Sequence, residues 1–240
     1  MKTLLVATDF SSNSINAAIY ATTMAKEIHA SIVLFHVTTL PVNFGEMPGV
    51  VLADDSLQEA NNLMESLIGQ LKIESMNMVS IQPLIKMGVF NAELQATCDV
   101  IKPYAVVMGT QGTSATERWM FGSHSLYAAR NLDWPFIGIP PGLTYRPVKK
   151  IALACDFHQI NETMPLESVQ LLTKDFDAAL YILHSGDVEQ FNPEKEFSSG
   201  RLREMLSTLH PAFHFINTND IDKGILDFVQ QQQIDWLIVL

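Results

Sequence analysis

Lys2-Thr-Leu-Leu-Val-Ala-Thr-Asp-Phe10 decides the fold, because it returns as Lys149-Lys-Ile-Ala-Leu-Ala-Cys-Asp-Phe157, 147 residues later. Leu4 to Ala7 is a short, fully apolar run of the kind carried by a parallel strand buried on both faces. Thr8-Asp9-Phe10-Ser11-Ser12 then supplies turn and helix N-cap chemistry. A segment that recurs in this form marks two copies of one domain. Two further echoes keep the same order: Ile32-Val-Leu-Phe-His36 with Leu180-Tyr-Ile-Leu-His184, and Ala105-Val-Val-Met108 with Leu237-Ile-Val-Leu240. The last pair lies only 132 residues apart, so copy two is the more compact between its second and fourth strands, with Asp187 to Ser199 replacing Thr38 to Ala60.

The chain of 240 residues accommodates two domains of ordinary size. With 15 basic and 26 acidic residues its formal charge is −11, which opposes DNA, RNA and anionic membrane faces as partners. An anion bound here must rely on local backbone N–H groups. Cys98 and Cys155 lack metal or redox spacing and read as reduced thiols. No run reaches the ~18 apolar residues of a membrane span, and Met1-Lys2 leads straight into a strand without a leader pattern, so a cytoplasmic protein is expected.

Along copy one, periodicity predicts a helix from Ile15 to about Ile28, a strand from Ile32 to Val37, and a loop from Thr38 to Asp54. A helix from Ser56 to Leu71, a strand from Val79 to Ile85, a helix from Phe90 to Ile101 and a strand from Tyr104 to Met108 come next. Ser123 to Leu132 reads as the last helix and Phe136 to Ile139 as the fifth strand. Strands alternating with helices give a doubly wound, mostly parallel sheet. Pro140 to Pro147 is a linker, which sets the domains at 1–143 and 148–240. Copy two reads as strand Ile151 to Ala154, helix Met164 to Phe176, strand Ala179 to Leu183 and helix about Lys195 to Thr208. Strand Ala212 to Ile216, helix Ile221 to Gln232 and strand Trp236 to Leu240 complete it, with neither the glycine loop of copy one nor a fifth strand.

That glycine loop is Gly109-x-x-Gly112 followed by Gly122-Ser123, placed directly after the apolar run Tyr104 to Met108. Gly109 is expected to turn the backbone off the strand, Gly112 to let the loop approach an anion, and Gly122-Ser123 to open a helix whose N–H groups face the ligand. A nucleotide phosphate fits such a loop, although a purely structural turn has the same composition.

Ala7-Thr-Asp-Phe-Ser11, His36-Val37 and Met108-Gly-Thr-x-Gly-x9-Gly-Ser123 together closely resemble the universal stress protein family. The resemblance covers nearly all of residues 1–142 and, more weakly, 148–240, as a tandem member with a degenerate or truncated second half. It implies an α/β fold, Rossmann-like and of the adenine nucleotide alpha-hydrolase kind, binding ATP with or without Mg²⁺. Carried across, Asp9 would accept from ribose hydroxyls or help hold a metal, and Ala7 and Val37 would border adenine. Gly109, Gly112, Gly122 and Ser123 would hold phosphates, with Thr8, Met108 and His124 completing the site. Gln111 and Thr113 stand where the family often has a histidine and a basic residue, while Arg118 and its neighbour Glu117 pull in opposite directions.

Other readings stay open. Asp9 could serve as a helix N-cap, since Asp156 recurs without a glycine loop. His36 and His184 sit at equivalent strand ends and suit either ligand contact or the core. His210 and His214 share a strand face rather than a metal. No Gly-x-Ser-x-Gly elbow, Gly-Lys-Ser/Thr loop or Cys/His pair is present, so no catalytic residue is assigned and enzymatic turnover, if any, is slow ATP hydrolysis. The expected function is a stress-response protein whose nucleotide occupancy biases conformation or the binding of a protein partner. Its rival is a nucleotide-free scaffold built on an internal pseudo-dimer, with room for a homodimer contact through the incomplete second sheet.

Overall fold

The computed structural model describes residues 2–38, 49–110, 122–154, 165–185, 204, 206–216, 218 and 220–239. The chain divides into two compact units, Met1–Tyr145 and Arg146–Leu240.

The first unit runs β1 (Thr3–Ala7), α1 (Ser12–Glu27), β2 (Ser31–Thr38), α2 (Gly49–Glu74), β3 (Ile81–Met87), α3 (Phe90–Ile101), β4 (Ala105–Gly109), α4 (Ser123–Asn131) and β5 (Phe136–Ile139). Its five strands are parallel in the order β3-β2-β1-β4-β5, with Leu5 paired to Val33 on one side and to Val106 on the other. Burial on both faces explains the unbroken apolar runs: Leu4, Leu5, Val6, Val106 and Val107 are all fully inaccessible. One face carries Leu5, Ala7, Phe35, Val106 and Met108 against Leu94 and Cys98 of α3 and Ala128 of α4. Alternate strand residues, Leu4, Val6, Ile32 and Leu34, are buried toward α1 and α2. α1 gets close to the sheet because its inner face is mostly small, with Ala17, Ala18, Ala21 and Ala25 buried around Met24. α2 contributes Ala60, Met64, Leu67 and Leu71.

Two expectations change here. α2 begins at Gly49, inside the stretch read as loop; proline and glycine punctuate helix starts as well as loops, so composition alone does not separate the two. Gly109 does not turn the chain off the strand; it is the last residue of β4, in register with Ile139. Its glycine identity answers to packing, since a Cβ there would lie 2.8 Å from the Asn13 carbonyl oxygen and 3.3 Å from the Ser14 nitrogen. The chain leaving β5 is strapped to α1: Asn16 Nδ2 donates to the Pro140 and Leu143 carbonyls, and the Tyr145 hydroxyl donates to Glu27 Oε2 at 2.6 Å.

The second unit carries β6 (Lys150–Ala154), α5 (Leu166–Asp175), β7 (Ala179–Ser185), a 3-10 turn (Ser207–Leu209), β8 (Ala212–Ile216), α6 (Ile221–Gln232) and β9 (Trp236–Val239). Its four parallel strands lie in the order β8-β7-β6-β9, the same permutation as β3-β2-β1-β4. The sequence echo is therefore an echo of topology. The helix expected from about Lys195 to Thr208 falls largely outside the described residues. His210 precedes β8 in a left-handed conformation (φ 47°), so it does not share a strand with His214, which packs between Tyr181 and Phe228. Among the described residues no helix is long and apolar enough to cross a membrane.

Two outcomes are expected. Gly109→Ala forces backbone apart and destabilises the first unit by about 1–3 kcal/mol, read as a fall in the urea midpoint; an unchanged midpoint contradicts the packing role. Cys98 is fully buried, and burial and then the Asp99 charge push its thiol up to about 11. At pH 8 it should resist thiol reagents until the protein unfolds, as scored by peptide mapping that separates it from Cys155; rapid native labelling contradicts this.

Candidate functional site

Winding reverses direction between β1 and β4, since β2 and β3 lie to one side of β1 and β4 and β5 to the other. A crevice at the carboxyl ends of the strands results from that reversal, and it is where open α/β sheets hold ligands.

The β1 side of the crevice is a tightly bonded turn. Thr8 is 4 % exposed; its N–H donates to the Phe35 carbonyl at 2.9 Å, and its Oγ1 accepts from the Phe10 N–H at 3.0 Å and bonds the Ser14 hydroxyl at 2.9 Å. The Thr8 hydroxyl is thus committed to the turn. The Thr8 carbonyl accepts from His36 Nδ1 at 2.8 Å, which makes Nδ1 the protonated nitrogen of the neutral ring. Phe10 stands at φ 61° with its ring 4.5 Å from the His36 ring. Left-handed backbone at an aromatic residue costs on the order of 1–3 kcal/mol and persists only where surrounding bonds over-determine it.

Asp9 is exposed at the crest of this turn and accepts from the Ser11 N–H at 3.0 Å. Burial pushes its carboxyl up, but hydrogen bonds from the Ser11 and Ser14 side chains and from the Ser11 backbone outweigh it and hold the group below the ordinary carboxylate range. It is a carboxylate at neutral pH. The helix N-cap is Ser11, whose side chain accepts from the Ser14 N–H at 3.3 Å, so the N-cap reading of Asp9 is corrected. The carboxylate retains acceptor capacity toward a ligand.

On the β4 side, the Gly109 carbonyl accepts from the Ser125 hydroxyl at 3.1 Å, while its Cα sits against Asn13 and Ser14. The first turns of α1 and α4 therefore meet at one residue. Thr110 is buried and its N–H donates to the Ile139 carbonyl at 2.9 Å. α4 opens at Gly122, which has extended geometry and, as a glycine, supplies no side-chain cap to the first N–H groups of the helix. Ser123 and His124 on that turn are exposed. His124 Nδ1 bonds Asn91 Oδ1 at 3.2 Å and its ring lies 4.5 Å from Phe90, which in turn packs 6.1 Å from Phe35.

Of the expected site residues, Thr8 and Asp9 directly follow β1, Gly109 ends β4, and Gly122, Ser123 and His124 open α4. Ala7 and Met108 are 4 % and 7 % exposed, with side chains in the core, so strand-end backbone is what they present. Val37 packs half-buried against the same core. Gly112, with Gln111, Thr113, Glu117 and Arg118, lies outside the described residues, as do Cys155 and Asp156. Sequence reading passed over Phe10, Ser14, Phe90, Asn91 and Gly88. Gly88 directly succeeds β3 at φ 152°, donates its N–H to the Thr38 carbonyl at 3.1 Å, and leaves a would-be Cβ 3.0 Å from Glu93 Oε1. A glycine between a strand pattern and a helix pattern was the available signal. Among the described residues no group of three or more His, Cys, Asp or Glu side chains is placed to hold a metal ion.

The sequence model of the universal stress protein family matches residues 1–140. Among solved structures, a universal stress protein from Archaeoglobus fulgidus DSM 4304 is 17 % identical, with a TM-score of 0.76 over 99 % of this chain and 86 % of that one. UspA from Lactobacillus plantarum is 19 % identical over 57 % of this chain and 97 % of its own, with a TM-score of 0.49. A universal stress protein from Archaeoglobus fulgidus in complex with dAMP is 16 % identical over 58 % of this chain and 97 % of its own, with a TM-score of 0.43. No curated protein sequence matches the chain. At these identities the structural likeness is one of fold, and the family match rests on the first unit. The chain belongs to the universal stress protein family.

Proposed function

We propose that the first unit binds an adenine nucleotide, ATP with or without Mg²⁺, and that occupancy biases the conformation or partner binding of a cytoplasmic stress-response protein. The observation that supports this reading most is the convergence at Gly109: the Ser11-capped start of α1, which follows the Asp9 turn, and the start of α4, whose N-cap is a glycine, meet at one strand end. A carboxylate held ionised accepts from ribose hydroxyls, and free helix-opening N–H groups donate to phosphate oxygens. The two chemistries at one crevice match the two polar parts of a nucleotide.

A nucleotide-free scaffold is the second reading, and one observation favours it: packing alone accounts for the glycine at 109. Calorimetric titration of the full chain with ATP, ADP and AMP, with and without Mg²⁺, separates the two. Saturable one-site binding is expected. Gly122→Val, which sets an isopropyl group at the opening amides of α4, should abolish it, and Asp9→Asn should weaken it about tenfold or more. No heat up to millimolar nucleotide favours the scaffold.

A further inference from the structure

The turn that carries Asp9 is not held by α1 alone. β2 reaches across to it through one side chain: His36 Nδ1 donates to the Thr8 carbonyl at 2.8 Å, and the same ring packs 4.5 Å from Phe10. These two contacts fall on either side of Asp9. Phe10 is left-handed at φ 61°, a conformation that an aromatic residue leaves unless it is held. Thr8 N–H to Phe35, Phe10 N–H to Thr8 Oγ1, Thr8 Oγ1 with the Ser14 hydroxyl, and Ser11 N–H to Asp9 Oδ1 fix the turn's interior, while among the described hydrogen bonds and ring contacts the Thr8 carbonyl and the Phe10 ring are held by His36.

We propose that His36 is a positioning residue that locks the Thr8-Asp9-Phe10 turn and so orients the Asp9 carboxylate toward a ribose diol. The inference rests on the nucleotide reading above. It gives His36 a role that neither a core histidine nor a ligand-contacting one would have. A core histidine would affect all ligands through stability, and a contacting one would act independently of Asp9. A positioning histidine acts only through Asp9 and only on ligands bearing ribose hydroxyls.

The test is calorimetry on the full chain with AMP and with 2′,3′-dideoxy-AMP. His36→Phe keeps a ring against Phe10 and removes the donor, whereas His36→Asn places an amide N–H where Nδ1–H stood. His36→Phe should weaken AMP about tenfold and leave dideoxy-AMP unchanged, and His36→Asn should recover most of the loss. In an Asp9→Asn background, His36→Phe should have no further effect. Equal loss for both ligands, unchanged AMP binding by His36→Phe, or additive loss in the double variant overturns the proposal while leaving nucleotide binding intact. Failure of the wild-type chain to bind AMP overturns both. Should His36→Phe not fold, long-range proton–nitrogen spectra of the wild-type imidazoles decide: the neutral His36 ring must carry its proton on Nδ1, the minority form in free histidine, and an Nε2–H ring contradicts the lock.

Discussion

The first turn of α1 can sit against the end of β4 only because residue 109 has no side chain. Asn13 and Ser14 backbone atoms occupy the space that a Cβ would take, at 2.8 and 3.3 Å. Such a contact between backbone and strand end fixes where α1 begins, and through Ser11 and Ser14 it fixes the turn that carries Asp9. The Gly109 carbonyl takes the Ser125 hydroxyl, so the start of α4 is fixed from the same point. The reversal of winding creates a crevice in any sheet of this order; the close approach at Gly109 is what brings two helix starts to its edge in this one.

The strands were readable because burial on both faces leaves little choice of residue: Leu4 to Ala7, Ile32 to Phe35 and Ala105 to Met108 are apolar throughout and lie in the middle of the sheet. Phe90 to Ile101 and Ile221 to Gln232 were readable as helices from the spacing of their apolar residues. The start of α2 was not, since Pro48-Gly49 suits a loop and a helix start equally and carries no apolar period of its own. Gly109 illustrates the same limit at the site. A glycine retained for its conformation and one retained for close approach look alike in sequence, and the strand register and the position of Asn13 separate them. The N-cap alternative for Asp9 falls to Ser11 for a related reason: both are good N-caps, and the choice falls to whichever precedes the first helical residue. His36 gave no signal beyond its place near a strand end, because its partner is a backbone carbonyl, which every sequence contains.

The repeated strand permutation places β6, β7, β8 and β9 where β1, β2, β3 and β4 stand in the first unit. The second unit's core obeys the same logic at smaller scale, with Ala152, Ala154 and Leu183 buried beside Ile225 and Phe228 of α6. Its outer strands differ in their cover: Phe215 and Val239 are 51 % and 70 % exposed. Within the first unit the polar turn, the glycine-capped start of α4 and the packed glycine all lie at the carboxyl ends of β1 and β4, which makes that unit the proposed seat of ligand binding.

Amide chemical-shift mapping during titration of the isotopically labelled full chain with AMP tests that claim most directly. Saturable shifts are expected in three groups: at Thr8 to Ser11, at the end of β4 around Gly109 and Thr110, and at Ser123 to Ser125. Shifts grouped in residues 146–240, or none at millimolar nucleotide, would contradict it.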